Sequence, residues 1–423
     1  MNRFFFLPLA ARSLMNRRVT ALLTLFAIAL SVMLFLGVEK IRLGAKESFD
    51  NTISGTDLIV GARSGSVNLL LYSVFRIGDA TNNITWESYR EFAEHPDTAW
   101  TVPISLGDSH RGFRVMGTTG GYFEHYQYGQ RRPLAFSEGA PFEDVFDAVL
   151  GAEVASRLGY ELGDAITLSH GIGETSFANH ENKPFRVAGI LNRTGTPVDS
   201  TVHVPLEGIE AIHLGWESGA RSPLAALYTP ERVRQMELQP AEITAFFMGL
   251  KSRIAALKVQ REINQYKSEP LQAVIPGVAL SQLWRVVSVA ETALTSIAAF
   301  VVFTGLLGML TAIMTSLNER RREMAILRSV GARPWMIFAL LMSEAALLAL
   351  AGALSGIAAI YMALTAARSF IEAQLGIFLG ALQPGLYDLY LILAVVGAAL
   401  LLGLFPALRA YRNSLADGLT VRV

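Results

Sequence analysis

The sequence predicts an α-helical membrane protein with four transmembrane helices and a large exported mixed α/β domain between the first and second helices. Three observations carry that expectation. Hydrophobic residues make up 52% of the 423 and charged residues 17%, with a mean hydropathy of +0.37; a soluble domain carries about 25% charged residues. Four segments are long and apolar enough to span a bilayer, which takes about 20 residues at 1.5 Å each. The formal net charge of 0 is the sum of two opposed parts. Residues 41–284 hold 21 Lys+Arg and 28 Asp+Glu (net −7), while the remainder holds 15 and 8 (net +7). This composition excludes a disordered chain, a coiled coil and an ordinary soluble enzyme. With 0 cysteines, disulfides, thiol catalysis and Cys-based zinc sites are excluded as well.

In chain order, residues 1–18 read as a cytoplasmic N-terminal segment and 19–40 as the first span, uncharged from Val19 to Val38. That run exceeds a signal-peptide h-region, and Glu39-Lys40-Ile41-Arg42 stands where a small-residue cleavage site would be, so it reads as a retained anchor. Residues 41–284 form the exported core domain. The second span, 285–317 with an outer stalk, contains Glu291; the third, 335–367, contains Glu344; the fourth, 389–408, has no charge. Residues 318–334 read as a cytoplasmic helix, 368–388 as a short outer loop and 409–423 as a cytoplasmic tail. Orientation comes from arginines in the short flanks. Arg3, Arg12, Arg17 and Arg18 precede the first span; Arg320, Arg321, Arg322, Arg328 and Arg333 lie between the second and third; Arg409, Arg412 and Arg422 follow the fourth. Both termini and the Arg-rich loop are therefore expected in the cytoplasm, and the acidic block outside.

Within the exported block, Thr98–Ser105, Phe113–Gly117, Ile166–Ser169, Phe185–Leu191 and Ser200–Pro205 read as short strands bounded by Gly, Asp and Pro. Helices are expected at Thr85–Glu94, Asp147–Leu158 and Pro205–Ile212. Ile243–Leu250, Lys251–Tyr266 and Leu271–Ile275 read as strand, helix, strand. Asp57–Val60 followed by Thr85–Glu94 and Thr98–Ser105 is the matching unit. One lobe is thus expected from both ends of the block, with residues 147–214 inserted as a strand-rich lobe.

Signatures of catalysis are missing from the sequence. Gly-Lys occurs nowhere, which rules out a Walker A loop in these residues; neither Gly-x-Ser-x-Gly nor His-Glu-x-x-His is present. All seven histidines fall in the exported block. His170, Glu174, His180 and Glu181 share a polar loop, but their spacing matches no ligand pattern, and a solvated loop is the better reading. Glu344, near a helix centre, costs about 2.5–3.5 kcal/mol to insert and must face protein. It reads as a hydrogen-bonded packing residue or a coupling contact. Gly352 and Gly356, four apart, suit close approach of another helix.

The most informative stretch is ERRREMAILRSVGAR, Glu319 to Arg333. On a helix, Ile326, Leu327 and Val330 share a face, Gly331 suits the helix C-terminus, and Pro334 restarts the chain. The product is a short basic amphipathic helix. It serves either as a lipid-hugging loop or as a docking element for a cytosolic partner.

This stretch, continuing to Ser343-Glu344-Ala-Ala-Leu-Leu, closely resembles the signature of FtsX/MacB-like ABC transporter permeases. The order of one span, a large exported domain and three spans resembles that family over nearly the whole chain. VLGAEVASRLG (Val149 to Gly159), LGD (Leu162 to Asp164) and FRVAGIL (Phe185 to Leu191) resemble its periplasmic core, and PALRA (Pro406 to Ala410) its tail. The usual continuation, Pro-x-x-Ala-Leu, departs here to SLADGL (Ser414 to Leu419). The resemblance implies a permease subunit that couples ATP hydrolysis by a separate cytosolic ATPase to conformational work in its periplasmic domain. The work would be lipoprotein extraction or export of a small molecule or peptide.

The same resemblance implies docking of the ATPase through Glu319, Arg320, Arg321, Arg322, Glu323, Ile326, Leu327, Val330 and Gly331. Independently of the resemblance, the residues themselves point to intramembrane coupling or packing at Glu344, Gly352 and Gly356, with a proton relay at Glu344 as the other functional reading. Implied partners are a second protomer (identical or a paralogue), a periplasmic adaptor or substrate protein, and membrane lipid, but not nucleic acid. ATP and Mg would sit on the ATPase, leaving this chain without catalytic residues, metal or cofactor. The expected place is the inner membrane, with the large domain in the periplasm. The alternative is a membrane-anchored periplasmic sensing or metal/ligand-binding module without ATPase coupling.

Overall fold

The computed structural model describes residues 6–170, 183–215, 228–319, 324, 326, 329–375 and 383–413. It resolves into two compact units: Met1–Gly44, Ser288–Ile371 and Leu379–Val423, and Ala45–Val287 with Glu372–Phe378.

Two helices open the chain, α1 (Phe6–Asn16) and α2 (Arg18–Asp50). No proline interrupts α2, so the apolar run and the charged residues after Val38 form one helix. The α/β unit follows with β1 (Leu58–Ala62), α3 (Ser66–Ser73), α4 (Trp86–Ala93), β2 (Thr98–His110), β3 (Phe113–Thr118) and β4 (Phe136–Gly139). Next come β5 (Asp147–Leu150), α5 (Ala152–Leu158), β6 (Phe185–Leu191), β7 (Thr201–Pro205) and α6 (Leu206–His213). It ends with β8 (Ala245–Leu250), α7 (Ala256–Asn264) and β9 (Leu271–Val274).

These nine strands run β9-β1-β8-β2-β3-β7-β5-β6-β4, and two short strands, Ala165–Ile166 and Ser169–His170, pair onto β6 and β2. Strands from the two ends of the block, β1 and β2 with β8 and β9, lie side by side. Those of the 147–214 region continue the same sheet through the parallel pair β3–β7. Burial explains the order. Along β1, Leu58 and Val60 face α4 and α7, packing with Tyr89, Phe92, Val259 and Ile263. Ile59 faces the other way, with Leu69 and Tyr72 of α3. Successive side chains of a strand point to opposite faces, so a strand buried throughout needs cover on both.

Two local expectations change. The β2 strand runs on to His110 and turns into β3 through Arg111 (φ 46°) and Gly112 (φ 85°), the two left-handed residues of a tight hairpin. Asp147 to Leu150, expected as the start of a helix, is a fully buried strand, and the helix begins only at Ala152. A short apolar run has no period by which strand and helix can be told apart; here β6 and β7 supply ladder partners on both sides.

The chain closes with α8 (Pro276–Glu319), α9 (Pro334–Leu375) and α10 (Leu386–Asn413). Along with α2 these are long and apolar enough to cross a membrane. All four extend beyond the apolar windows read from sequence, and α9 continues to Leu375 through residues expected in the outer loop. Their shared core includes Ile28 and Val32 of α2, Leu306 and Met309 of α8, Leu341, Ala345 and Leu348 of α9, and Val395 and Ala399 of α10. Half of the apolar window of α9 is buried, against 28–33% for the others, which makes α9 the central helix.

Candidate functional site

Three regions of the helical unit carry the functional residues expected from sequence or revealed by the structure. The first is the segment between α8 and α9. Glu319 is the last residue of α8, while Arg320, Arg321, Arg322, Glu323 and Leu327 lie outside the described residues. Met324, Ile326 and Ser329 are helical, and the Val330 amide donates to the Ile326 carbonyl at 3.1 Å. Gly331 follows at φ +98°, a conformation that favours glycine because a Cβ would crowd the backbone. Pro334 then starts α9 at a position where its missing N–H costs nothing. Met324 packs half-buried against the helical core, but Ile326 is 56% and Val330 83% exposed. Two apolar side chains one turn apart thus face outward, flanked in sequence by arginines. Burying each under a partner contributes about 1.5–3 kcal/mol.

The second region is the seam between α9 and α2. A Cβ on Gly352 would stand 2.7 Å from Ile28 Cγ2, and one on Gly356 would stand 2.5 Å from the Ala29 carbonyl oxygen. Higher up, α2 returns the contact, since a Cβ on Gly37 would meet Ile360 Cδ1 at 3.0 Å. On its other side, Ser31 Oγ lies 2.7 Å from Ala27 O and 3.1 Å from Val301 O of α8. The first helix is therefore clasped by two small-residue seams, the packing that lets helices in lipid approach closely. Glu344 is 4% exposed on α9, next to Ala345, whose Cβ would lie 3.2 Å from a Cβ on Gly403 of α10.

The third region went unrecognised in the sequence, where Glu39 and Glu291 look like isolated stalk residues and Asp388 like a loop residue. Asp388 is 3% exposed in the first turn of α10. Its Oδ2 accepts from the Gly385 amide at 2.8 Å and lies 2.6 Å from Tyr361 Oη of α9. Its Oδ1 faces Lys40 Nζ of α2 at 3.7 Å, and that ammonium sits 5.3 Å from the centre of the Tyr361 ring. Two residues past Lys40, Arg42 Nε and Nη2 donate to the Glu39 carboxylate at 2.9 and 2.7 Å, while Nη1 reaches Glu291 of α8 at 3.5 Å. Four helices are thereby joined by charged contacts where the uncharged run of α2 ends. Groups this far apart in the chain give no spacing signal.

In the exported unit, the described histidines do structural work. His110 Nδ1 and Nε2 lie 2.7 Å from Thr167 O and 2.9 Å from Tyr160 Oη, and His125 stacks on Trp100 at 4.8 Å. His203 is fully buried, its Nδ1 3.2 Å from Val149 O. Burial, with the nearby Arg76 charge, pushes its imidazole down to about 3. Among the described residues no three His, Asp or Glu side chains form a metal-sized group. Glu174, His180 and Glu181 lie outside those residues, as does the side chain of His170.

Comparison with known proteins follows this geometry. Residues 21–266 match the model of the MacB-like periplasmic core domain, and residues 295–415 that of the FtsX-like permease C-terminal region. Among curated proteins, the pyoverdine export ATP-binding/permease protein PvdT of Pseudomonas syringae pv. tomato is 26% identical over 322 residues, covering 71% of this chain and 45% of the relative. PvdT of Pseudomonas aeruginosa is 27% identical over 221 residues, covering 49% and 30%. The chain thus spans less than half the length of these relatives. Among solved structures, the periplasmic region of MacB from Actinobacillus actinomycetemcomitans aligns with 55% of this chain and 94% of its own, at 10% identity and a TM-score of 0.35. The extracellular domain of the transporter YknZ from Gram-positive bacteria aligns with 52% and 99%, at 14% identity and a TM-score of 0.30.

Proposed function

Since this chain belongs to the FtsX/MacB-like family of ABC permeases, we propose that it is the membrane subunit through which an ATPase drives conformational work in the exported domain. One observation supports this reading above the others. The segment joining α8 to α9 presents exposed Ile326 and Val330 immediately before the central helix of the bundle. Apolar anchors flanked in sequence by arginines suit a protein partner, with the charges setting register and encounter rate more than affinity. The ATPase is supplied outside the present residues, which contain no Walker A sequence. ATP and Mg belong to that component, and this chain has a transport role rather than a catalytic one.

The expected setting is the inner membrane, with the N- and C-terminal flanks and the coupling segment cytoplasmic and the α/β unit periplasmic. A second protomer, identical or paralogous, completes the transporter, and a periplasmic adaptor or substrate protein meets the exported unit. The name of the PvdT relatives, pyoverdine export, favours export of a small molecule over lipoprotein extraction. The test is purification of the chain in mild detergent from its native cells, with stoichiometric companions identified by mass spectrometry. An ABC ATPase in one-to-one ratio is the expected result. An intact preparation containing no ATPase would sink the reading and favour a stand-alone sensing module.

A further inference from the structure

We infer that Lys40, Tyr361 and Asp388 are positioning residues that pass the displacement of α9 to α2, and that Arg42 makes α2 and α8 move as a pair. The inference rests on the permease reading above and names the residues through which the work leaves the membrane.

The geometry of α9 motivates it. This helix begins three residues after Gly331, at the end of the coupling segment, and meets α2 at Gly352, Gly356 and Ile360. Those contacts are apolar seams of small residues, which tolerate sliding because no directional bond is broken. Tyr361, next along α9, differs: its hydroxyl is 2.6 Å from Asp388, a charge-assisted hydrogen bond. Sliding α9 by one residue, about 1.5 Å of helix rise, would break that bond unless α10 followed. Tyr361 and Asp388 therefore keep α9 and α10 in register.

Lys40 connects this pair to α2, and the connection is loose. Among the described residues the buried Asp388 Oδ1 accepts no hydrogen bond, and Lys40 Nζ faces it at 3.7 Å. A buried carboxylate oxygen left without a bond is costly, so a shift of about 1 Å that brings Nζ within bonding distance is favourable. A closed arrangement beside the open one seen here would give the contact the two states that a transmitting element requires. Arg42 then fixes the consequence for the neighbouring helix. It is held by both Glu39 oxygens on its own helix and reaches Glu291 of α8 at 3.5 Å, so a displacement of α2 is shared with α8.

Asp388 also caps α10 by accepting from the Gly385 amide, and a purely structural role must be separated from coupling. Asp388→Asn keeps a carbonyl oxygen for that amide, and Lys40→Met removes the opposing charge, so the double variant leaves no lone charge. Because the chain has 0 cysteines, Leu43→Cys, at an exposed position on α2, gives a single labelling site. The experiment measures maleimide labelling of Cys-substituted full-length chain in the purified complex with its ATPase, without nucleotide and with ATP, Mg and vanadate.

In the parent, nucleotide is expected to change the labelling rate several-fold. In Lys40→Met/Asp388→Asn the ratio falls to unity while ATP hydrolysis and thermal stability stay near parent values. Lys40→Arg, which keeps the charge opposite Asp388 and leaves the bonds of Asp388 to Gly385 and Tyr361 in place, keeps a nucleotide-dependent ratio. A neutral pair that keeps the parent ratio overturns the inference and leaves the permease reading standing. A parent complex that neither hydrolyses ATP nor responds to nucleotide overturns the permease reading, and this inference with it.

Discussion

Gly356→Ala is the sharpest test of the α2–α9 seam. In a helix interior, replacing Gly by Ala gains about 0.8–1.0 kcal/mol from backbone entropy. At position 356 that gain meets a collision: the new methyl would stand 2.5 Å from the carbonyl oxygen of Ala29 and 3.0 Å from Val32 Cβ. Backbone cannot rotate aside as a side-chain tip can. The helices must separate locally, an overpacking cost of about 1–3 kcal/mol plus loss of dispersion along the rest of the seam. The net expectation is destabilisation of roughly 1–2 kcal/mol. Gly308→Ala on α8 is the control, because no atom lies within 4 Å of its Cβ position; there the propensity gain stands alone and stability rises by up to about 1 kcal/mol. Thermal unfolding of the detergent-solubilised chain, followed by intrinsic fluorescence, reads both. Opposite signs support the seam. Equal stabilisation by the two substitutions would refute it, since it would mean that α2 and α9 do not touch at Gly356.

Further predictions follow from other sites. Val330→Asp, at a side chain 83% exposed, is expected to leave the unfolding temperature unchanged while the co-purifying ATPase is lost; retention of a stoichiometric ATPase would dissociate this residue from docking. Arg76 sits just past α3 at φ 60°, with the Ile77 amide donating to Leu71 O as in a helix-ending motif that favours glycine. Arg76→Gly removes that strain and the buried Nε and Nη1, which have no hydrogen-bond partner among the described residues, against loss of the weak Nη2 contact to Met116 Sδ at 2.7 Å; it is expected to stabilise by up to about 1 kcal/mol, read as a raised unfolding temperature. His203, held at about 3 against an ordinary 6.5, makes the unfolded state the better proton acceptor between those values. Its contribution is complete above pH 6.5 and is lost as pH falls toward 3, at about 1.4 kcal/mol per pH unit. His203→Phe should flatten the acid limb of stability against pH measured by denaturant titration; an unchanged slope would place the acid sensitivity elsewhere.

The features most legible from sequence were those in which neighbouring residues act together. Twenty uncharged residues from Val19 to Val38 predict a span because burial in hydrocarbon is a sum over consecutive side chains. The break between α8 and α9 is legible for a similar reason, since Ile326, Val330, Gly331 and Pro334 carry helix face, terminator and restart within nine residues. Strands Phe185–Leu191 and Leu271–Val274 were found within a residue of their ends because Gly, Asn and Pro punctuate them. The strand Asp147–Leu150 was missed because DAVL is as apolar in a helix as in a sheet. Only β6 and β7, 35 or more residues away in sequence, decide the matter.

The sequence alone determines four segments long and apolar enough to cross a membrane, an acidic block between the first two, an Arg-rich segment between the second and third, and the signature of its family. Hydropathy, charge and short motifs are properties of contiguous residues and survive without a fold. Tertiary structure decided that α9 is the central helix, that Gly352 and Gly356 meet Ile28 and Ala29, and that Lys40, Tyr361 and Asp388, with Arg42 and Glu291, tie four helices together. A close approach or an ion pair depends on which surfaces are brought within a few ångströms. For residues 40, 361 and 388 that is settled by packing across more than three hundred intervening positions, where sequence spacing carries no information.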